Sequence, residues 1–236
     1  MIGFIQRDGP VCDLAALTSA VEVQPLAFIE LCCKECSSLQ KACYQSGISF
    51  AGVVKNIELK SVQLDVNKFV KRSKNEGGWV HMHVSTPCSS GSALKNFSQS
   101  VTDSDLDWEA IITGVRDFLS LEPRPDWISF ELPKGNAVWG RELTVEVLAK
   151  GGMNHFQDVH LCQAQFKASN GLPVGKALRF QCSHLSFCQS LKRFRTCTCK
   201  EHAAFSSVSW VDTGFYNRTW ARGIINGAKA AFRSQS

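Results

Sequence analysis

Short apolar runs of strand length recur between amphipathic stretches along most of this chain, and that alternation constrains the fold more than any other feature. Ala27–Cys33 (AFIELCC), Ile48–Val54 (ISFAGVV), Val62–Val66 (VQLDV), Trp79–Ser85 (WVHMHVS) and Trp127–Leu132 (WISFEL) are predicted strands. Helices are predicted at Ser37–Gln45, with Ser37 or Ser38 as cap, at Asp107–Leu121 and at Arg141–Lys150 before the Gly151-Gly152 stop. Val159–Phe166 and Lys176–Gln181 are two further strand-like runs, joined by the turn-rich SNGLPVG as a hairpin. Thr219–Phe232 closes the chain as a helix weakened by Gly223 and Gly227. The polar run Ser98–Asp107 is expected to be a surface loop. The fold class is therefore α/β, with a mostly parallel sheet and an antiparallel edge hairpin.

At 236 residues with 44% hydrophobic content, the chain can build a sizeable core. No stretch reaches the ~18 consecutive apolar residues of a membrane span. The start, MIGFIQRDGPVCDL, lacks a secretory pattern, so an intracellular protein, nuclear or cytoplasmic, is expected. Eleven cysteines, an odd count, are then expected to be reduced thiols rather than a disulfide framework.

Charge divides the chain. The net charge is +5, yet residues 159–200 carry Lys167, Lys176, Arg179, Lys192, Arg193, Arg195 and Lys200 with no acid at all. A basic stretch on an otherwise mildly acidic body points to a polyanion-binding face, with a solvated basic loop as the competing reading. Three segments are expected: an α/β domain over 1–181, a basic Cys/His-rich segment over 182–210, and a C-terminal helix over 211–236 packing back on the domain.

In a parallel α/β sheet, ligands bind beyond the carboxyl ends of the strands. After Trp79–Ser85 comes Thr86-Pro87-Cys88-Ser89-Ser90-Gly91-Ser92, which presents a cysteine among small polar residues whose hydroxyl and backbone donors favour a thiolate. Near the end of Trp127–Leu132 stands Glu131, among apolar neighbours that oppose its ionisation and suit it to proton donation. An inert loop cysteine and a surface glutamate are the plainer alternatives. His81 and His83 alternate on one strand, point to one face, and are expected to be a packed, hydrogen-bonded pair.

Taken in order, these segments resemble the cytosine-5 DNA methyltransferases. That family's G-P-P-C-Q-G-F-S loop lines up with Ser85–Ser92, sharing Pro87, Cys88 and Ser92. Its P-x-x-x-x-x-E-N-V segment lines up with Pro125–Pro133 and places the family glutamate on Glu131. The cofactor motif D-L-F-x-G-x-G-G falls on Glu30-Leu31-Cys32-Cys33-Lys34-Glu35-Cys36-Ser37, and the aspartate after the third strand on Asp65. The later Y-G-V-P-Q-x-R-x-R segment resembles Gly171-Leu172-Pro173 with Lys176 and Arg179, and the closing helix resembles Asn217–Phe232. The sequence departs from the family where Lys34, Cys36 and Ser37 replace glycines, and where Lys55 stands in place of the ribose-binding acid, with Glu58 three residues on. Leu132-Pro133 replaces the family's N-V, and the target-recognition insert is compressed.

The resemblance implies a Rossmann-like methyltransferase sheet, S-adenosylmethionine as cofactor and nucleic acid, DNA ahead of RNA, as substrate. Glu30, Leu31, Cys32, Asp65 and Pro87 would contact the cofactor. Cys88 would add to cytosine carbon 6 while Glu131 protonates or hydrogen-bonds ring nitrogen 3, making carbon 5 nucleophilic. The base would have to leave the stack to react. Lys176, Arg179, Lys192, Arg193 and Arg195 would hold phosphates. The alternative is a nucleic-acid-binding protein that keeps the fold without catalysis; a third reading is a zinc-stabilised interaction module. For zinc, Cys188, Cys197, Cys199 and His202 form the expected Cys₃His set. Phe187, Phe194 and Phe205, interleaved with the basic residues, suit either base stacking or core packing.

Overall fold

The computed structural model describes residues 5–6, 26–32, 37–53, 57–86, 102–203 and 217–235. Among these residues seven strands form one sheet: β1 (Ile5–Gln6), β2 (Leu26–Leu31), β3 (Ser49–Val53), β4 (Trp79–Ser85), β5 (Trp127–Pro133), β6 (His155–His160) and β7 (Ala177–Cys182), in the order β1-β3-β2-β4-β5-β7-β6. Strands β3, β2, β4 and β5 are mutually parallel, while β7 runs antiparallel between β5 and β6. The helices are α1 (Ser38–Tyr44), α2 (Lys60–Asn75), α3 (Thr102–Phe118), α4 (Glu142–Lys150), α5 (Leu185–Ser190) and α6 (Arg218–Arg233). This is a Rossmann-like α/β sheet, mostly parallel, with a reversed strand near one edge. Its direction of winding switches between β2 and β4, and open α/β sheets bind ligands beyond the carboxyl ends of the strands at such a switch.

Strand alternation sorts the core into two layers. Ile29, Leu31, Met82, Val84, Phe130 and Leu132 face α2, α3 and α4. Phe28, Phe50, Trp127, Phe180 and Cys182 face α1, α5 and α6. The terminal helix belongs to that second layer through Trp220, Ile224, Ala228 and Ala231. Gly223 and Gly227, costly to an isolated helix, lie against Phe194 and Phe187, where an added Cβ would come within 2.7 and 2.9 Å of the rings. Phe187 and Phe194 are core residues; Phe205 lies outside the described residues.

Two predicted strands are corrected. Val62–Val66 lies within α2, because Val62 and Val66 belong to a stripe that continues to Val70 at four-residue spacing, all buried. Five residues alone fit either period; the longer window decides. Val159–Phe166 is not one strand either. β6 starts at His155, and after His160 the chain tightens into a 3-10 turn over Leu161–Ala164, ended by Gln165 at φ 65°. Phe156, at the start of β6, is 60% exposed beneath the Arg179 guanidinium at 4.9 Å. Helix α3 begins at Thr102, inside the stretch expected to be loop.

Gly114 brings α3 against the backbone of Ile57–Glu58, where an added methyl would fall 2.6 Å from main-chain atoms. Alanine gains roughly 1 kcal/mol in helix propensity. Overpacking against backbone costs about 1–3 kcal/mol. Gly114→Ala is therefore expected to lower the melting temperature despite its better propensity, as a thermal-unfolding comparison with the parent will show.

Candidate active site

The carboxyl ends of β2, β4 and β5 bring four residues together. Register places Glu30 beside His83 and Ser85 beside Glu131. Glu30 is 3% exposed, and burial raises its carboxyl to about 8; a hydrogen bond donated by Ser37 Oγ opposes that shift and the charge of Glu131 adds to it. Ser37 does two jobs. Its hydroxyl donates to Glu30 Oε2 at 2.5 Å and accepts from the Gln40 amide at 3.1 Å as the N-cap of α1. Where the resemblance expects a glycine, this chain therefore has a side chain that satisfies the buried acid.

Beneath the acids lies a polar chain that the sequence only partly announces. Ser129 Oγ lies 2.9 Å from His81 Nε2 and 2.8 Å from His83 Nδ1, and both rings are fully buried. One hydroxyl has one proton to give. His83 Nε2 faces Glu131 Oε2 at 3.7 Å, and His81 Nδ1 has no partner among the described residues. The arrangement that leaves no buried N–H orphaned on His81 has His81 Nε2–H donating to Ser129 and Ser129 donating to His83 Nδ1. His83 then carries its proton on Nε2, toward Glu131. This tautomer assignment follows from the network. Burial holds the His83 imidazolium down to about 3, so the Glu131 contact joins a neutral ring to a carboxyl group. Burial, then the neighbouring His83 and His184, drives His81 lower as well. Phe28 and Phe187 stack on His81 at 5.3 and 4.8 Å, and Phe180 stacks on His83 at 5.8 Å. The histidines are thus the packed, hydrogen-bonded pair expected. Ser129, two residues before Glu131 on the same strand face, is the member that sequence spacing does not single out.

Around this centre, Cys32 follows β2 with φ 61°, an uncommon left-handed conformation for a non-glycine residue. Its thiol is pushed up to about 12, chiefly by burial, with Glu30 and Glu58 adding to the shift. Leu31 points into the opposite core layer. Thr86, just after β4, has a buried hydroxyl with no partner among the described residues. Pro87 and Cys88 lie outside the described residues, as do Cys33, Lys34, Glu35, Cys36 and Lys55.

Three expectations are corrected. Asp65 is not at a strand end: it lies on α2, 46% exposed and paired with Lys68 at 2.8 Å, across the sheet from Glu30. Arg179 makes a bidentate pair with Asp158 at 2.7 and 3.1 Å, which occupies the guanidinium that was expected on phosphate. Asp158 also takes Lys134 at 2.9 Å, and these cations, Arg179 first, lower its carboxyl. Cys188 is buried on α5 beside Cys182 and does not join the other expected metal ligands, whose fourth neighbour is Cys162. Lys192, Arg193 and Arg195 are exposed on and just after a 3-10 turn over Leu191–Phe194, with Arg193 stacked on Phe194 at 4.5 Å. Lys176 immediately precedes β7.

Among the described residues no helix is long and apolar enough to cross a membrane. No protein-family model matches the chain, and no curated protein matches it. Among solved structures it is similar to a Spodoptera frugiperda DNMT2 mutant, at 16% identity and a TM-score of 0.38 over 68% of this chain and 51% of that one. It is also similar to the S. pombe Dnmt2 methyltransferase, at 13% identity and a TM-score of 0.37 over 76% of this chain and 57% of that one. The chain spans a little over half the length of those structures.

Proposed function

We propose that this protein transfers a methyl group from S-adenosylmethionine to carbon 5 of cytosine in nucleic acid, DNA ahead of RNA. The observation that carries the reading is the pair of acids Glu30 and Glu131 near the carboxyl ends of the strands that flank β4, which leads through Thr86-Pro87 to Cys88 in the chain.

The donor set suits this cofactor. The charge of Glu131 opposes ionisation of the buried Glu30, and a sulfonium cation beside them would relieve that repulsion. Thr86 brings an unsatisfied buried hydroxyl, and Glu58 is an acid placed to accept from ribose hydroxyls near Cys32. When bound, the cofactor supplies an electrophilic methyl group. The chain's own part concerns the base. Cys88 thiolate forms a carbon–sulfur bond at carbon 6, and Glu131 holds a proton at ring nitrogen 3 to accept the displaced charge. After transfer, loss of the carbon 5 proton to solvent water, expulsion of the thiolate from carbon 6 and return of the nitrogen 3 proton to Glu131 restore both side chains and the aromatic ring. His83, neutral and facing Glu131, holds that carboxyl in place without competing for its charge. Lys192, Arg193 and Arg195, with Lys176, offer cations for the phosphates.

The second reading, a nucleic-acid-binding protein without catalysis, is favoured by the hydrogen bond from Ser37 to Glu30, which already satisfies the acid at the cofactor end. Thermal unfolding separates the two. S-adenosylmethionine at about 100 times its dissociation constant should add about 2.7 kcal/mol and raise the melting temperature. Labelled methyl should enter cytosine-containing oligonucleotides and not matched ones lacking cytosine. Salt-sensitive oligonucleotide binding with neither thermal shift nor incorporation would leave only the second reading.

A further inference from the structure

At the carboxyl edge of the sheet, just past β6, one thiol from a tight turn meets two thiols and an imidazole from a coil more than thirty residues later in sequence. The ligand atoms of Cys162, Cys197, Cys199 and His202 all lie within 4.8 Å of one another. Cys162 Sγ is 3.5 Å from Cys197 Sγ, and Cys197 Sγ is 3.2 Å from His202 Nε2. A tetrahedral zinc ion with bonds of about 2.3 Å to sulfur and 2.0 Å to nitrogen sets ligand separations near 3.5–3.8 Å. The Cys162–Cys197 spacing of 3.5 Å meets that figure and the Cys197–His202 spacing of 3.2 Å falls slightly inside it, while 3.5 Å is far beyond a disulfide bond.

The surroundings hold these ligands in place. Gln163 Nε2 approaches Cys162 Sγ at 3.7 Å and Cys199 Sγ at 3.9 Å, and the Cys199 amide donates to Cys197 sulfur. Donors of this kind orient metal-bound thiolates. The His202 ring lies on the backbone of Gly175, where even a methyl group would fall 2.9 Å from Cγ. The neighbouring Ala203 amide bonds to Pro173 O at 2.9 Å. Residues 195–203 have no helix or strand of their own, so a cross-link at this point fixes a segment that repeating backbone bonds do not.

We propose that Cys162, Cys197, Cys199 and His202 form a closed tetrahedral Cys₃His site for one structural zinc ion, tying the coil that follows the basic Lys192–Arg195 stretch to the edge of the sheet. Four protein ligands leave no open position for substrate, which makes the site structural rather than catalytic. It does not depend on the methyl-transfer reading.

The whole chain, purified under reducing conditions without chelator and supplied with zinc, should carry about one zinc per molecule by atomic emission. Cys188→Ala should keep that equivalent. Cys162→Ser should weaken zinc at least about tenfold, as judged by competition with a chromogenic chelator. Cobalt in place of zinc in the unmodified chain should give tetrahedral d–d bands and thiolate charge-transfer absorption, so the site remains testable even if Cys162→Ser folds poorly. A chain that binds neither metal overturns the proposal. So does full zinc retention by Cys162→Ser, or loss of zinc in Cys188→Ala.

Discussion

Glu131→Gln is expected to cut labelled-methyl incorporation by about 10²–10⁴-fold, the usual contribution of a positioned proton donor. The substitution keeps the size and the hydrogen-bonding amide but removes the transferable proton, so packing against His83 should survive. Cys88→Ala should reduce incorporation to background, because without carbon–sulfur bond formation carbon 5 never becomes nucleophilic. In the proposed mechanism the two residues act on one ring in one step, so the double variant should be no worse than Cys88→Ala alone. S-adenosylmethionine should still raise the melting temperature of Cys88→Ala, which separates lost chemistry from lost binding. Full incorporation by either single variant would remove the covalent mechanism.

The parallel half of the sheet was legible because its strands are buried on both faces and read as continuous apolar runs. Trp79–Ser85 appears with the boundaries expected, and Trp127–Leu132 runs one residue further, to Pro133. Legibility failed where a short segment fits two periods, as at Val62–Val66, or where an apolar residue faces water, as at Phe156. In the candidate site, Glu131 was readable from its position at a strand end, and Glu30 only through the family resemblance. Spacing could not reveal their supports. Ser37 becomes a partner of Glu30 only when the chain turns back after β2, and Cys162 joins Cys197, Cys199 and His202 only once β6 and β7 pair. The C-x-C-x-x-H run pointed to three ligands; the nearest preceding cysteine, Cys188, was a natural fourth, but the apolar face of α5 buries it.

The buried charges make a second large prediction. His83, with an ordinary value of 6.5 and a folded value of about 3, lends stability that is fully present above pH 6.5 and lost as pH falls toward 3. His81 shifts in the same direction. Glu30, raised from 4.5 to about 8, works oppositely: its stability is fully present below 4.5 and lost as pH rises through 8. Each group contributes about 1.4 kcal/mol per pH unit within its window. Between 4.5 and 6.5 Glu30 cancels one histidine and the other governs, so stability falls on acidification. Between 6.5 and 8 Glu30 acts alone among these three, and stability falls on alkalinisation by about 2 kcal/mol. Denaturant unfolding across this range should therefore peak near pH 6.5. Glu30→Gln should flatten the alkaline limb and steepen the acid one, since the opposing group is gone. Glu131→Gln should also soften the alkaline limb, because its charge helps to raise Glu30. A sulfonium ligand beside Glu30 stabilises the ionised carboxylate, so saturating S-adenosylmethionine should flatten the alkaline limb where its uncharged thioether analogue does not. An alkaline limb unchanged by Glu30→Gln would show that this carboxyl ionises normally in the folded chain, and the electrostatic case for a cationic ligand at the strand ends would go with it.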